Sequence, residues 1–343
     1  MQDTLNIIKI KFFDTLLKII TINFYNIIFK VLFFQKMRKK KIIIVRIAEG
    51  LGNQLFMFAN AYAIAKQRKY FLMVDNESGY FKNKNKRRKR KFLLNFFNIQ
   101  NNICPDKFKF KNYLSDIFRK ILKTLDYFQE KKRFLIEYKN KHKKTSFKNL
   151  LKYSLGNLVY IEGHFESEKY FLSLKKDLQK ILTVKNDYID YSNKYIDLIR
   201  KKNSVSVHIR RHKFSEEISE SKQIKNIKKS DNFTKELINY IQDSINYLEK
   251  KIQKPTFFIW SNDFDGIEKY FNRKDCIFVK NNDVIMDFYL FSICKHFIVG
   301  GSTFHWMGAW LNRNKNKLCI RPKNINLNPS NNNDFWPNDW IKI

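Results

Sequence analysis

The chain has 343 residues, 44% of them hydrophobic, so it can bury one large core or two of ordinary size. This apolar content excludes a wholly disordered protein. The formal net charge of +35 indicates an anionic partner, which could be nucleic acid, an acidic membrane surface or a phosphate-bearing substrate. A joint excess of Lys, Asn, Ile and Phe is also typical of an A/T-rich coding sequence, so the charge alone does not select one partner.

Residues 1–40 form a basic and apolar N-terminal extension. Within it, residues 16–34 are apolar, but Lys18 and Lys30 bracket only eleven residues, fewer than the ~20 that a spanning helix needs. No small-residue cleavage site follows, which argues against a secretory signal. We therefore expect a helix that lies on an anionic membrane surface. The alternatives are a membrane anchor and an extension ahead of a start at Met37.

The first half of the chain predicts a strand–helix–strand unit. IIIVRI (42–47) is a buried-strand run, an apolar helical spacing follows it, and FLMVD (71–75) is the next strand. The basic stretch at 82–91 is typical of a solvated loop, with a surface for phosphate or acidic glycan as the alternative. Residues 105–155 are rich in Lys and Phe and too weakly patterned to divide.

Strands alternate with helices more clearly in the second half. The predicted strands are VSVHI (205–209), TFFIW (256–260), CIFVK (276–280), HFIVG (296–300) and KLCI (317–320). The predicted helices are one with its apolar face between Leu237 and Leu248, one at 283–295 and one at 302–312. The alternation predicts an α/β protein with two doubly wound, Rossmann-like domains, at 41–200 and 201–343. Ligands of such domains bind at the carboxyl ends of the strands, here in the cleft between the two.

The cysteines show neither CxxC pairing nor metal-ligand spacing. They are Cys104, Cys276, Cys294 and Cys319, and the last three lie in apolar runs. We expect buried, reduced thiols, which favours a reducing compartment and a cytoplasmic protein.

The segment EGLGNQLF (49–56) joins the first strand to its helix. Gly50 and Gly52 let the backbone approach a ligand closely, and the helix N-terminus presents free N–H groups. Asn53 and Gln54 add neutral donors. We expect this turn to contact a bound ligand, and tight packing at the turn without a ligand is the alternative.

Two adjacent arginines end the strand in VHIRRHKF (207–214). The guanidinium fork matches phosphate oxygens in a bidentate way. Arg210 and Arg211 face opposite ways on an alternating strand, so we expect one to contact the ligand and the other to be structural. His208 shares the face of Arg210 and is either a ligand contact or a satisfied buried histidine.

Ser261, Asn262 and Asp263 follow a buried strand, at a position where ribose or base contacts arise. Asp263 and Asp265 resemble a metal-binding D-x-D pair. However, the sequence from Asp265 predicts a helix, and acidic residues cap helix N-termini without any metal. We therefore expect nucleotide contacts here and no metal.

GGSTFHW (300–306) places Ser302, Thr303 and Phe304 at a helix N-terminus, an arrangement that binds anions, with a plain Ser302 cap as the alternative. The segments singled out lie at strand ends of a doubly wound pattern, and one of them carries paired arginines. This combination predicts a nucleoside diphosphate ligand. The absence of G-x-x-x-x-G-K-[ST] argues against a P-loop ATPase.

The order of these segments resembles glycosyltransferase family 11, the alpha-1,2-fucosyltransferases. The matching motifs are GLGNQLFMFANAYAIAK, IEGHFESEKYF (161–171), VHIRR, FIWSNDFD and DFYLFSICKHFIVGGSTFHWMGAWLN, which together cover Lys41 to Asn312. The resemblance implies a GT-B-like architecture, with the acceptor on the first domain and GDP-fucose on the second, and no metal or other cofactor. It also implies that Arg210 holds the donor diphosphate and that Asn53 lies near the reacting centre. Ser302, Thr303 and Phe304 would line the donor site.

The chain departs from the pattern of this family at several positions. The family usually has glycine at Glu49, G-D-Y at His212, Lys213 and Phe214, tyrosine at His164, asparagine at Gly301, serine at His305 and tryptophan at Met307. Because Lys213 replaces an acid, the general base stays open among Glu49, Glu216 and Glu217.

The expected activity is an inverting transfer of L-fucose from GDP-fucose to a glycan hydroxyl, which is O2 of galactose by analogy with the family. The departures at Lys213 and Gly301 make a catalytically inactive relative that binds GDP or a glycan the first alternative. A basic nucleic-acid-binding protein is the less favoured one, because the aromatic residues lie mostly in apolar runs and not among Lys and Arg. The sequence does not indicate an oligomeric state.

Overall fold

The computed structural model describes residues 41–83, 90–100, 102–137, 139–140, 143–144, 150, 152–214, 223–323 and 334–343. The extension 1–40, most of the basic stretch at 82–91 and the base candidates Glu216 and Glu217 therefore lie outside the described residues. Within the described ranges, no helix is long and apolar enough to cross a membrane.

The first unit is built on a parallel sheet. Its strands are β1 (Ile42–Arg46), β2 (Phe71–Asp75), β3 (Lys132–Ile136) and β6 (Leu155–Glu162), and β4 (Lys139–Asn140) and β5 (Lys143–Lys144) form a separate antiparallel ribbon. This part of the chain contains the helices α1 (Leu51–Arg68), α2 (Tyr113–Asp126), α3 (Lys175–Ile181) and α4 (Lys194–Lys201). The sheet order is β2-β1-β6-β3. Strand β1 is central, and its isoleucines are buried on both faces, as in other parallel sheets covered by helices.

The second unit has a larger parallel sheet. Its strands are β7 (Asn203–Ile209), β8 (Pro255–Ser261), β9 (Cys276–Phe278), β10 (His296–Ile298), β11 (Cys319–Arg321) and β12 (Ile341–Lys342). Its helices are α5 (Gln223–Glu249), α6 (Val284–Ser292) and α7 (Thr303–Leu311). The order is β12-β11-β10-β7-β8-β9, so the winding reverses between β7 and β10. A reversal of this kind opens a crevice at the carboxyl ends of the two strands, which places a binding site beside Arg210 and Ser302.

Two parallel, doubly wound α/β units confirm the predicted GT-B-like fold class, and the predicted strands and helices of the second half are present. One local prediction is wrong. The sequence from Asp265 forms a turn and a short 3-10 helix (Glu268–Tyr270) instead of an α-helix. Gly266 takes a φ of +65°, a left-handed conformation that breaks the helical path. The region 105–155, which the sequence did not divide, contains α2 and the strands β3 to β5.

The two units share a continuous apolar core. It reaches from β1 and α1 of the first unit to α6 and α7 of the second. The rings of Phe56 and Trp306 lie 4.6 Å apart across the interface, and Phe335 packs against both. The C-terminal segment also returns to the first unit, where the Ser167 hydroxyl donates to the Asp334 carbonyl at 2.7 Å. The units therefore meet through packed side chains.

Helix α4 belongs mostly to the predicted first domain, 41–200, but it contacts the second unit. Its Tyr195 hydroxyl donates to the Phe278 carbonyl at 3.2 Å. The cysteines are all free thiols, and Cys104, Cys294 and Cys319 are buried, as predicted, while Cys276 is half-buried. Burial raises the pKa of Cys104 to about 12, so this thiol stays protonated and unreactive at neutral pH.

Candidate active site

The N-termini of α1 and α7 meet where the two units face each other. A Cβ on Gly52 would lie 2.3 Å from the backbone nitrogen of Phe304, so glycine is required for this approach. Both helices are described throughout, and neither carries an acidic residue in its first turn. Two converging helix N-termini with no acidic residue in their first turns create a region of positive potential. Such a region favours a phosphate or another anion.

A hydrogen bond between the two units joins two of the predicted site residues. The Thr303 hydroxyl donates to Asn53 Oδ1 at 2.7 Å, although the residues lie 250 positions apart. Ser302 occupies the N-cap position of α7, but in the described structure its hydroxyl makes no capping hydrogen bond. The alternative interpretation of Ser302 as a plain helix cap is therefore wrong. The backbone N–H groups in the first turn of α7 are not capped by this side chain.

Gln54 and Gly50 hold the loop around this turn. The Gln54 amide donates to the carbonyls of Glu49 and Lys91 at 3.0 and 2.9 Å and accepts from Leu93 N at 2.9 Å. Both of its N–H groups are thus used inside the protein, which makes Gln54 a support for the loop. A Cβ on Gly50 would lie 2.7 Å from Arg90 Nη1, so the arginine lies directly over the glycine turn. The contacts of Gln54 with Lys91 and Leu93 and of Gly50 with Arg90 join distant segments, so they leave no local sequence signal.

Arg211 is the structural member of the arginine pair. Its Nη1 donates to Asp263 Oδ2 at 2.8 Å and to the Asp265 carbonyl. Its backbone N–H donates to Asn262 Oδ1 at 2.8 Å, and the Asn262 amide returns a hydrogen bond to the Arg211 carbonyl at 3.2 Å. The Ser261 hydroxyl donates to the Asp263 carbonyl. The predicted donor contacts Ser261, Asn262 and Asp263 therefore brace the loop that follows Arg210.

Arg210 lies close enough to His208 for its charge to affect the imidazole. Burial and, to a smaller extent, the positive charge of Arg210 lower the pKa of His208 to about 3. His208 is 8% exposed, and its ring centroid lies 6.3 Å from that of Phe304. At neutral pH this imidazole is uncharged, so it can shape the site beside Arg210 but cannot act as a general acid.

Two departures from the family pattern fall at left-handed backbone. Glu49 and His212 have φ values of 63° and 55°, and both stand where the family usually has glycine. His212 partly compensates, because its Nε2 lies 2.7 Å from Asp263 Oδ2. This hydrogen bond, with the Asp265 N–H bond and the Arg211 charge, lowers the pKa of Asp263. No comparable hydrogen bond of the Glu49 carboxylate is present among the described residues. The Glu49 charge contributes instead, after burial, to the raised pKa of Tyr80.

Lys213 and Glu166 interact electrostatically across the interface. The ammonium group of Lys213 lies 4.3 Å from the ring centroid of Phe233, and the residue is half-buried. Burial lowers the pKa of Lys213 to about 8, with Arg210 and Lys229 adding to the shift and Glu166 opposing it. Glu166 belongs to the first unit, is 6% exposed and lies 3.7 Å from His164 Nδ1. This carboxylate was not among the predicted site residues, although it lies inside the motif IEGHFESEKYF.

Comparison with known proteins agrees with these motifs. Residues 42–343 match the family described as Glycosyl transferase family 11. An alpha-1,2-colitosyltransferase of Escherichia coli is 32% identical over 308 residues, which is 88% of this chain and 99% of that protein. The O-antigen biosynthesis glycosyltransferase WbnK of Escherichia coli is 28% identical over 293 residues, with 80% and 91% coverage.

Solved structures show a more distant likeness. A mutant of Arabidopsis thaliana FUT1 in complex with GDP is 13% identical and gives a TM-score of 0.48, with 83% of this chain and 71% of that chain covered. The fucosyltransferase NodZ from Bradyrhizobium is also 13% identical, with a TM-score of 0.43 and coverage of 79% and 92%.

Proposed function

Because this chain belongs to glycosyl transferase family 11, we propose that it transfers L-fucose from GDP-fucose, with inversion, to a hydroxyl of a glycan. The expected acceptor atom is O2 of galactose. The cleft between the two units would hold the donor on the second unit and the acceptor on the first. The reduced thiols and the nucleotide-sugar donor favour a cytoplasmic protein.

The observation that carries the proposal is the convergence of the N-termini of α1 and α7, with Arg210 directly after the strand β7 of the second unit. In an inverting transfer, the acceptor hydroxyl attacks the anomeric carbon as the bond to the GDP oxygen breaks. Negative charge then grows on the departing diphosphate. Arg210 and the N-terminal turns of α1 and α7 would stabilise that charge more in the transition state than in the ground state. Since these groups supply positive charge, we propose that no divalent metal is needed.

Removal of the proton from the acceptor hydroxyl requires a general base, unless the transition state is loose. Glu49 lies beside the glycine turn, at the carboxyl end of β1. Glu166 lies at the interface and shares the surroundings of Lys213. Glu216 and Glu217 stay candidates on sequence alone. Glu→Gln variants at these four positions, assayed for turnover at saturating donor, would select among them, because loss of the base lowers kcat without removing donor binding.

The test is GDP release from GDP-fucose by the purified protein in EDTA, with and without a panel of galactosides. Acceptor-dependent release is expected. Arg210→Ala should lower turnover by roughly 100- to 1000-fold, the usual effect of removing one charge-stabilising donor. Arg313→Ala is the matched control, because Arg313 is exposed and donates to the Gln179 carbonyl outside the site. Near-normal turnover in Arg210→Ala would contradict the proposed role.

A colitosyl donor is the second candidate. The 32% identical relative is an alpha-1,2-colitosyltransferase and is covered almost completely by the alignment. Parallel assays with the fucosyl and colitosyl derivatives of GDP would compare the two through their kcat/KM values. The higher value identifies the donor.

The remaining alternatives give different results in the same assay. An inactive relative would bind GDP saturably, lose that binding in Arg210→Ala and release nothing from the donor. A nucleic-acid-binding protein would bind mixed DNA or RNA with a steep salt dependence.

A further inference from the structure

Helix α2 exposes an apolar face to solvent. The outer face of α2 consists of Leu114, Ile117, Ile121 and Leu125 on the helix, with Tyr127 and Phe128 directly after it. These side chains are between 51% and 78% exposed. The four helical positions are spaced by three or four residues, so they form one continuous stripe. Contiguous exposed apolar surface of this kind marks an interaction site in a folded protein.

The opposite side of α2 is charged and buried. Arg119 donates to Glu162 and Asp116, and Lys123 donates to Glu162 at 2.8 Å. Although burial acts in the opposite direction, hydrogen bonds from Lys82 and Arg119 lower the pKa of Asp116 to about 2. Rotating α2 to bury its apolar stripe would break these ion pairs and leave buried charges without partners. The apolar face is therefore fixed toward the outside.

Basic side chains surround this apolar face. In the described part of 111–133, the exposed charged residues are Lys111, Lys120, Glu130, Lys131 and Arg133. Lys111 forms ion pairs with Asp106 and Glu77, so the excess of positive charge comes from the other basic residues. The other two acidic residues of this segment, Asp116 and Asp126, are buried. A groove of about 420 Å³ lies at the end of the helix, and it is lined by Lys120, Lys123, Thr124, Tyr127 and Phe128. The surface thus combines apolar side chains, aromatic rings and an excess of positive charge.

We propose that the outer face of α2 docks this protein on an anionic lipid bilayer. Its aliphatic side chains would enter the boundary of the acyl chains, and the lysines would contact the phosphates of the headgroups. Tyr127 and Phe128 would lie at the level of the headgroups. Charge favours this occupant over a second copy of the chain. Two proteins with a net charge of +35 repel each other, and they would bring their lysine-rimmed faces together.

The inference goes beyond the proposed sugar transfer and does not depend on it. The test uses the full chain in co-sedimentation with vesicles of phosphatidylcholine alone or with 30% phosphatidylglycerol. The variant is Ile117→Gln with Ile121→Gln, since both side chains are exposed and glutamine is a good helix former. The matched control is Leu172→Gln with Ile227→Gln, which are exposed apolar residues on other surfaces.

We expect the parent chain and the control to bind the anionic vesicles, and to bind at least tenfold less at 0.5 M salt. The Ile117→Gln/Ile121→Gln variant should bind at least tenfold more weakly than the parent. Its thermal unfolding and its GDP release with a soluble acceptor should be unchanged, which separates membrane docking from folding and catalysis.

Three results would overturn the proposal. The first is absence of vesicle binding by the parent chain. The second is undiminished binding of the Ile117→Gln/Ile121→Gln variant while Lys18→Glu with Lys30→Glu abolishes it, because the extension 1–40 would then be the anchor. The third is a concentration-dependent dimer that the α2 variant disrupts in the absence of lipid, because a second copy would then occupy the face.

Discussion

Left-handed backbone at Glu49 makes this residue costly for stability. A non-glycine residue in this conformation destabilises the folded state by roughly 1–2 kcal/mol. Glycine removes this strain, but its greater freedom in the unfolded chain offsets about 0.5–1 kcal/mol of the gain. Glu49→Gly should therefore raise the free energy of unfolding by roughly 0.5–1 kcal/mol, measured by urea denaturation. His212→Gly should gain less, because it also loses the bond to Asp263. A Glu49→Gly variant less stable than the parent would show that the Glu49 side chain makes a compensating contact.

The lowered pKa of Lys213 predicts a pH dependence of GDP binding. Its pKa is lowered to about 8, first by burial and then by Arg210 and Lys229, with Glu166 acting in the opposite direction. The group is therefore charged at pH 7 and neutral above about pH 9. Because the cation lies beside Arg210, GDP affinity should fall as the pH rises through 8.

The check is isothermal titration of GDP between pH 6.5 and 9.5 in the parent chain and in Lys213→Met. The Met variant keeps the apolar stem over Phe233 and should show a flatter profile, and the titration of GDP itself is common to both proteins. Arg210→Ala should lower affinity at every pH instead. Identical profiles in the parent and Lys213→Met would remove Lys213 from the site.

At the level of helices, the contact of α1 with α7 depends on Gly52. A methyl group there would lie 2.3 Å from the backbone of Phe304, so the helices must move apart. Gly52→Ala should cost roughly 1–3 kcal/mol in stability and at least a factor of ten in GDP affinity. Gly156→Ala is the control, because its nearest neighbour would lie at 3.6 Å, an ordinary contact. Equal GDP affinity in Gly52→Ala and the parent would argue against a donor site at the two N-termini.

The sequence predicts an element well where its apolar pattern matches its burial, as in the strands β7 to β11, and poorly where the two differ, as in α2. The strands near VSVHI and TFFIW are apolar runs with turn signals, so their pattern matches their burial. Helix α2 has the apolar spacing of an amphipathic helix, but one of its apolar stripes faces solvent while Asp116 and Arg119 are buried, so the spacing alone does not show which face packs inside. The helix expected at Asp265 failed because Gly266 is left-handed. The internal bonds of Gln54 and Asp263 could not be foreseen, since their partners come from distant segments.

Across the whole molecule, one apolar core spans both units, so they should unfold together. Phe335 is fully buried and contacts the rings of Phe56 and Trp306 from the two units. Phe335→Ala should lower the free energy of unfolding by roughly 3–5 kcal/mol, the usual cost of such a truncation. Far-ultraviolet circular dichroism and tryptophan fluorescence should still give one coincident transition. Two separate transitions in the parent chain would show that the units are energetically independent.

This shared core also has a consequence for biosynthesis. Phe56 is translated 279 residues before Phe335, the ring that covers it in the folded protein. At 5–20 residues per second, roughly 15–55 s separate the two on the ribosome. Throughout that interval the apolar side of α1 lacks its final neighbours. That side of the helix is therefore open to aggregation until the C-terminal segment emerges, and slow translation prolongs the exposure.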